Sequence, residues 1–503
     1  MSRNNTNEQQ STDDMERLLA CELTLDNIKK VFAQSTDIIY RDIMVSNEAQ
    51  LTVTLVYIDG MTDLKIVNDN IVCPLSASNW YDKCVTPAQV LERSKNGALS
   101  ISYITETKQL RQATDAILAG KSLIVFSTLK SALIADTIGY EKRGITPAQE
   151  ENTYRSGKDS FVETLKTNMT MVRRKIRSPN LVLEETMVGK QTETHVCVVY
   201  MQNICNDMFV KKIKKRLEAI NQDSALSLRD IYTNVVKEKY TPFPVAITTE
   251  KPDVCCMSLL EGKIAILIDE LPYCLVLPAV FGDFFQTTSD YANNFIVASF
   301  FRLLRNACFY IAVLVPGFFV AITTFHPEMI PYKLNIAIAA SRVGTPFSMV
   351  IEILIMSFAF FVLFQASLQV SQTIGATISI VGGLVLGQAA ITARIVSPAT
   401  IVVVATAAIS SMAIPNKEVN SASFLFQVLC TILSAVFGLL GVVFTLTIMI
   451  FMLAKLTPLD VPYLSPYTAR KPLQIGDSII KFPNNFNKKR PVYLHPKNVR
   501  RKR

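Results

Sequence analysis

The uncharged stretch of residues 375–393 limits most strongly what this chain can fold into. Its 19 residues carry no charge, and a helix of that length crosses the hydrocarbon core of a bilayer. Gly375, Ser379, Gly383 and Gly387 recur at every fourth position, so they would share one face of the helix. Side chains this small let two helix backbones approach closely in lipid. The stretch therefore predicts a membrane helix whose small-residue face packs against another helix or borders a pore.

Three more residues of this helix are candidates for packing or pore formation. Gly382 lies next to Gly383 in the chain, and we predict that it also takes part in helix packing or pore formation. Val385 would lie on the side away from the glycines. Gln388 is polar at membrane depth, where polar side chains are rare and usually functional.

Charge is distributed unevenly along the chain. Residues 1–300 hold 33 Lys and Arg against 37 Asp and Glu, whereas residues 301–503 hold 18 against 5. Between positions 303 and 454 there are eight charged residues. This distribution predicts a soluble head, a membrane domain and a basic tail.

The head has two copies of one α/β pattern. Tyr57 lies near the end of one strand-like run, and Tyr200 lies near the end of another. A Leu-x-Gly-Lys sequence follows each run, with Gly120 63 residues after Tyr57 and Gly262 62 residues after Tyr200. The matching order and spacing predict an internal duplication.

We therefore expect five segments. They are a disordered N-terminus (residues 1–17), two α/β subdomains of a cytoplasmic head (18–147 and 148–285), a transmembrane helical domain (286–454) and a basic cytoplasmic tail (455–503). Residues 275–285 are too short to span a membrane, and we expect an interfacial segment or the last strand of the head there.

Five apolar runs are candidates to span the membrane. They are residues 306–325, 349–368, 376–393, 395–414 and 424–454. No secretory signal precedes the head, and the tail carries 12 Lys and Arg against two Asp, so both ends should lie inside. An even number of crossings follows. Either one run does not span, or a sixth element exists, for example through a split of the last run near Gly438 and Gly441.

Two ionisable residues fall among these runs. Glu352 lies near one end of the second run, and Arg394 lies between the third and the fourth. Charge buried in a membrane is usually functional, whereas charge at a helix end usually reaches the interface. For Arg394 we favour an interfacial anchor.

The sequence does not indicate an enzyme, a cofactor or a metal site. Gly120-Lys121-Ser122 resembles part of a phosphate loop, but Asp115 stands where the first glycine is needed, and a strand-like run follows. The three His residues form no ligand pattern. The basic run of residues 211–216 has no interleaved aromatic residues, which favours a solvated helix face over nucleic-acid binding.

Short motifs along the chain indicate a family. They are Tyr57–Gly60, Phe161–Asn168, Arg173–Lys175, Thr249–Asp253, Asp290–Tyr291, Phe301–Arg305, Ile378–Ala390 and Val396–Pro398. In these motifs and their order the chain resembles the A-subunits of spore germinant receptors, the GerA family, over about residues 20–470. The resemblance singles out Glu250, Pro252 and Asp253 as the head motif. Gln365, Gln369 and Ser371 depart from an acid, a base and a Pro of the family, and Glu270 stands where the family usually has Gly.

The resemblance implies a function that the residues alone do not give. Such A-subunits work in the spore inner membrane with a transporter-like B-subunit and a lipoprotein C-subunit. Nutrient binding to that complex triggers ion release and germination, and the A-subunit is thought to form homo-oligomers around an ion pathway. A stand-alone nutrient or ion transporter is the alternative, although the duplication expected of many transporters is found here only in the head.

Overall fold

The computed structural model describes residues 15–46, 51–77, 81, 84–139, 157, 159–238, 240–369, 382–383, 385–468, 479–483 and 489–501. The chain forms two compact units. The head unit contains Met1–Lys237, Ala246–Pro278 and Lys488–Arg503. The helical unit contains Glu238–Val245 and Ala279–Asn487.

The first subdomain of the head unit is a five-stranded antiparallel sheet with helices. Its strands are β1 (Ile38–Ser46), β2 (Leu51–Ile58), β3 (Ile104–Thr107), β4 (Ser122–Phe126) and β5 (Ser131–Ala135), in the order β1-β2-β4-β5-β3. Its helices are α1 (Leu25–Val31), α2 (Leu64–Val67), α3 (Cys73–Ala77), α4 (Pro87–Arg93) and α5 (Leu110–Leu118).

The second subdomain repeats this topology. Its strands are β6 (Leu181–Val188), β7 (Thr194–Met201), β8 (Ile247–Thr249), β9 (Ile264–Ile268) and β10 (Cys274–Leu277), in the order β6-β7-β9-β10-β8. Its helices are α6 (Leu165–Lys175), α7 (Asp207–Glu218), α8 (Leu228–Val235) and α9 (Pro252–Glu261). The two strand orders are equivalent, so the predicted duplication of an α/β pattern is confirmed.

The repeated glycines have the same local role in both subdomains. Gly120 has φ +89° and Gly262 has φ +104°, and each separates a helix from the strand that follows it. A residue with a side chain would be strained in this left-handed conformation. Strands β4 and β9 then run through the cores, with every residue buried. Glu270 has φ +65°, a left-handed conformation that Gly adopts more readily than a residue with a side chain.

The structure bears on two expectations about the edges of the head. Residues 15–19 are helical, and Met15, Leu18 and Leu19 pack against a core cluster, so the end of the segment predicted to be disordered is ordered. Residues 1–14 lie outside the described residues. Residues 274–277 form strand β10, which is the last strand of the head unit.

The described residues of the helical unit form helices and the connections between them. The labelled helices are α10 (Thr288–Ala292), α11 (Phe295–Phe325), α12 (Tyr332–Ser341), α13 (Met349–Gln369), α14 (Pro398–Met412), α15 (Lys417–Phe437) and α16 (Leu439–Lys455). Among the described residues, Phe295–Phe325, Met349–Ser367 and Lys417–Phe437 are long and apolar enough to cross a membrane. The apolar helices α14 and α16 are shorter. The predicted all-α second part is therefore confirmed for the described residues.

The last apolar run, residues 424–454, is two helices rather than one. Gly438 separates α15 from α16 with φ +61° and ψ −136°. Asn416 caps the N-terminus of α15, so this helix begins well before the run and is 21 residues long. The break near Gly438 that the sequence allowed is present, and α15 extends beyond the N-terminal end of the run because residues 417–423 are also helical.

Candidate functional site

A buried carboxylate joins two helices of the helical unit. Glu352 of α13 is fully buried, and its Oε2 accepts hydrogen bonds of 2.9 Å from the backbone N–H of Ser397 and the hydroxyl of Thr400. Ser397 is the N-cap of α14. The first N–H groups of a helix lack partners within the helix, and its N-terminus favours negative charge. Glu352 therefore caps a neighbouring helix and does not reach an exposed interface.

The second oxygen of Glu352 is different. Oε1 is buried and has no hydrogen-bond partner among the residues that the structure describes. One half of this carboxylate is thus fixed by two donors, while the other half can accept a further hydrogen bond.

Gly382, Gly383 and Gly387 lie next to large side chains of the same chain. Residues 385–392 are helical. A Cβ atom built on each glycine would lie 2.9 Å from Leu363 Cδ2 for Gly382, 3.6 Å from Phe360 Cε1 for Gly383 and 3.9 Å from Ile401 Cγ2 for Gly387. The last two distances are ordinary van der Waals contacts. Gly375 and Ser379, which begin the predicted stripe, lie outside the described residues.

The other side of this helical segment is open. Val385 is 59 % exposed, and Gln388 and Thr392 are exposed as well. Thr392 follows Gln388 by four residues, so the two polar side chains lie on the same side of the helix. Arg394 is exposed and has φ +54°. This segment therefore presents Gln388 and Thr392 to the outside of the single chain, beside the exposed apolar residues Val385, Ala389 and Ile391, and we call these two polar residues the polar strip.

Another close contact between two helices lies at Gly317, which was not among the predicted packing residues. A Cβ atom built on Gly317 of α11 would lie 2.5 Å from the Sγ of Cys430 and 3.0 Å from its backbone C and O atoms. Such distances leave no room for a methyl group, so the backbones of α11 and α15 touch here. The available signal was a glycine within an apolar run, which does not indicate the partner helix.

A cleft of about 410 Å³, open space included, lies between α13, α14 and α15. Its polar lining residues are Ser357, Ser411, Asn420, Ser423 and Gln427, and its aromatic ones are Phe360, Phe361, Phe364 and Phe424. The Nε2 of Gln427 donates a 3.0 Å hydrogen bond to the hydroxyl of Ser357. Polar positions of α15 recur every three or four residues, a helical spacing that could have revealed this polar face from the sequence.

An ion-pair cluster lies where α10 meets α11. Asp290 is almost fully buried and accepts hydrogen bonds from Arg302 Nε at 3.1 Å and from Arg305 Nη2 at 2.5 Å. Lys481 Nζ donates to the backbone carbonyl of Asp290 at 2.7 Å. The cluster joins two of the family-like motifs of the sequence, at residues 290–291 and 301–305.

The head motif positions the start of α9. The carbonyl of Glu250 accepts a 2.8 Å hydrogen bond from the N–H of Phe161. Pro252 occupies the first turn of α9, where its missing N–H costs nothing. Asp253 pairs with Lys175 at 2.6 Å. These contacts tie α9 to its own subdomain and do not bring the motif together with Glu352 or Gln388.

Residues 26–493 match the sequence pattern of a protein family, described as Bacillus/Clostridium GerA spore germination protein. The chain belongs to this family. The GerA resemblance drawn from the motifs is thereby confirmed.

Individual GerA relatives are similar over nearly the whole chain. Spore germination protein KA of Bacillus subtilis (strain 168) is 35 % identical over 92 % of this chain and 84 % of its own length. Spore germination protein B1 of the same organism is 30 % identical over 95 % and 98 %. A solved structure, the N-terminal domain of the A subunit of the Bacillus megaterium spore germinant receptor GerK3, is 29 % identical, covers 52 % of this chain and 97 % of its own, and gives a TM-score of 0.42. The names of the two Bacillus subtilis relatives support a role in spore germination.

Proposed function

We propose that this chain is the A-subunit of a nutrient-sensing germinant receptor in the spore inner membrane. In this proposal it acts with a transporter-like B-subunit and a lipoprotein C-subunit. Several copies assemble around an ion path, and nutrient binding to the complex opens that path and starts germination.

The observation that carries the proposal is the polar strip formed by Gln388 and Thr392. Gln388 and Thr392 are exposed on a helical segment that follows two apolar helices. A polar side chain facing lipid is unfavourable, so such residues usually face a water-filled cavity or another protein surface. The glycine side of the segment is already covered by side chains of the same chain. The polar strip is therefore the side available to further copies and to ions.

The head unit supports the expected topology. It contains the N-terminal part of the chain together with Lys488–Arg503. Two parts that fold into one unit lie on one side of a membrane, which requires an even number of crossings between them. The 12 cations of the tail favour the cytoplasmic side for both.

The test compares three substitutions in one helical segment, with complex abundance and ion release measured in the same spores. Gln388→Leu should reduce ion release at unchanged abundance, because it removes a polar group from the path. Val385→Ala should also alter ion release at unchanged abundance. Gly383→Leu should lower abundance, because its side chain would extend well beyond a Cβ that already contacts Phe360.

Gly383→Ala is the matched control, since a methyl group fits at 3.6 Å and should leave both quantities unchanged. If all three substitutions leave abundance and ion release as in the wild type, the segment borders no ion path and the proposal fails. Loss of ion release on deletion of the B-subunit would separate a receptor subunit from a stand-alone transporter.

A further inference from the structure

The C-terminal segment, residues 489–501, folds back onto the second subdomain within the head unit. It contains a bridge between Lys489 and Arg500 and a short 3-10 turn at Val492–Leu494. The N–H of Arg490 donates to the carbonyl of Val499 at 2.8 Å. Leu494 is fully buried. The segment thus has a defined shape of its own rather than lying along the surface as an extended tail.

The surface beneath it is built from helix-end and turn groups of the second subdomain. We call it the tail-docking site and define it as Gln202, Ile204, Asp207, Leu260, Glu261 and Gly262. The last carbonyls of a helix have no partners within the helix, and that end carries a partial negative charge. Leu260 and Glu261 are the last two residues of α9. The site therefore offers hydrogen-bond acceptors together with carboxylates.

The segment brings cations to these acceptors. Arg490 Nε donates to the carbonyl of Leu260 at 2.8 Å. Arg501 pairs with Glu261 at 3.2 Å. Each arginine thereby satisfies or neutralises a group at the C-terminus of α9, where positive charge is favourable.

Lys497 makes three hydrogen bonds to the tail-docking site. Its ammonium donates to the carbonyl of Gln202 at 2.9 Å and to Asp207 at 2.6 Å, and its backbone N–H donates to the carbonyl of Ile204 at 2.9 Å. The neighbouring Pro496 fills the space over Gly262, where an added Cβ would lie 3.6 Å from the proline Cβ. Lys497 lies beyond residue 493, where the family match ends.

We propose that the tail-docking site is a reversible peptide-binding site and that residues 489–501 are its intramolecular ligand. Its ion pairs are partly exposed, with 27 % and 64 % of the side chains of Lys497 and Asp207 accessible. Exposed pairs are modest contributors, and covalent attachment adds to the occupancy by giving a local concentration of about millimolar order. A free peptide of the same sequence therefore competes for the site once the attached copy is absent or weakened. This inference is independent of the proposed ion path.

The experiment measures binding of a fluorescent peptide of residues 488–503 to the whole chain in detergent. The wild-type chain should bind it weakly, because its own tail occupies the site. A chain ending at residue 487 should bind it at least about tenfold more tightly. The full-length variant Arg490→Ala with Lys497→Ala should also gain binding, which keeps the test valid if the shortened chain does not fold.

The controls are changes in the peptide. Peptides with Arg490→Ala or Lys497→Ala should bind about tenfold more weakly, equal to about 1.4 kcal/mol, and all binding should weaken as salt rises. A peptide with Arg500→Ala loses the same charge, but the Arg500 side chain is exposed and its backbone makes the contacts, so binding should not change. No binding to either the shortened chain or the double variant, or equal loss with Arg500→Ala, would overturn the proposal.

Discussion

The head unit and the helical unit each contain a buried carboxylate, and the two carboxylates have different kinds of partner. In the head, Asp37 of the first subdomain and Arg173 of the second are both buried and fully matched, with Nε–Oδ2 at 3.0 Å and Nη2–Oδ1 at 2.8 Å. In the helical unit, the buried Glu352 has one oxygen bound to the N-terminus of α14 and the other without a partner among the described residues.

The contact of Asp37 with Arg173 and the contact of Glu352 with α14 depend on formal charge to different degrees. A buried carboxylate opposite a guanidinium is stable only while both charges are present, because removing one leaves the other unpaired. A carboxylate that caps a helix acts mainly as a hydrogen-bond acceptor, and a neutral acceptor can replace it. The head contact should therefore be sensitive to charge, and the helical contact should be sensitive to loss of the acceptor.

The largest effect should follow from Asp37→Ala. This substitution leaves Arg173 buried without its carboxylate, and breaking such a pair costs about 3–5 kcal/mol. Asp37→Asn should be nearly as damaging, because it also removes the charge. The measurement is the unfolding transition of the head in the full chain by calorimetry.

Asp59→Ala is the matched control, since Asp59 also pairs across the two subdomains, with Lys166 at 2.7 Å. Here the lysine is 68 % exposed, so the loss should be only about 0–1 kcal/mol. Equal effects of the two substitutions would contradict the role assigned to Asp37.

Gly317→Ala should be the next most damaging change. The new methyl group would lie 2.5 Å from the Sγ of Cys430 and 3.0 Å from its backbone, which must move to make room. Overpacking of this kind costs about 1–3 kcal/mol. Gly383→Ala has space for the methyl group and should be neutral or slightly stabilising because Ala favours a helix. Thermal unfolding of the two variants in the same detergent tests the difference.

Two substitutions of Glu352 should distinguish the stability that comes from its hydrogen-bond acceptor from the stability that comes from its charge. Glu352→Ala leaves the buried N–H of Ser397 and the hydroxyl of Thr400 without that acceptor, which costs about 1–3 kcal/mol. Glu352→Gln keeps a carbonyl oxygen in the same place and should cost less than about 1 kcal/mol. The thermal midpoint of the helical unit measures both. A Gln variant as unstable as the Ala variant would show that the charge itself is needed.

The duplicated head could be predicted because its signals are local. Alternating β-branched residues indicate strands, and the Leu-x-Gly-Lys sequences mark the turns at Gly120 and Gly262 that require positive φ. The strand order was not predicted, and the structure shows the same order in both subdomains.

The contacts of the helical unit could not be predicted in the same way, because their partners are distant in sequence. Glu352 and Ser397 are 45 residues apart. Ser397-Pro398 is a local signal for a helix start, but nothing in the sequence says which residue caps it from outside. Gly317 likewise gives no indication that it faces Cys430. The helix break at Gly438 was anticipated as an option, but the early start of α15 was not, because its first turns are polar.

Asp290 is a third buried carboxylate. It is paired with arginines, as Asp37 is, but it belongs to the helical unit. Burial alone would raise its pKa, but the hydrogen bond and charge of Arg305, with Arg302 nearby, lower the pKa below its ordinary value near 3.8. A carboxyl group whose pKa is lower in the folded state contributes stability above its unfolded pKa, and that contribution is lost as pH falls through the folded pKa.

Between pH 7 and about pH 5, Asp290 should therefore add no pH dependence to the unfolding of the helical unit, and its contribution should disappear only below about pH 4. Asp290→Asn should be less stable than the wild type at pH 7, and the gap should narrow in acid. A gap that is constant from pH 7 to pH 3 would show that the ionised form of Asp290 does not hold α10 to α11.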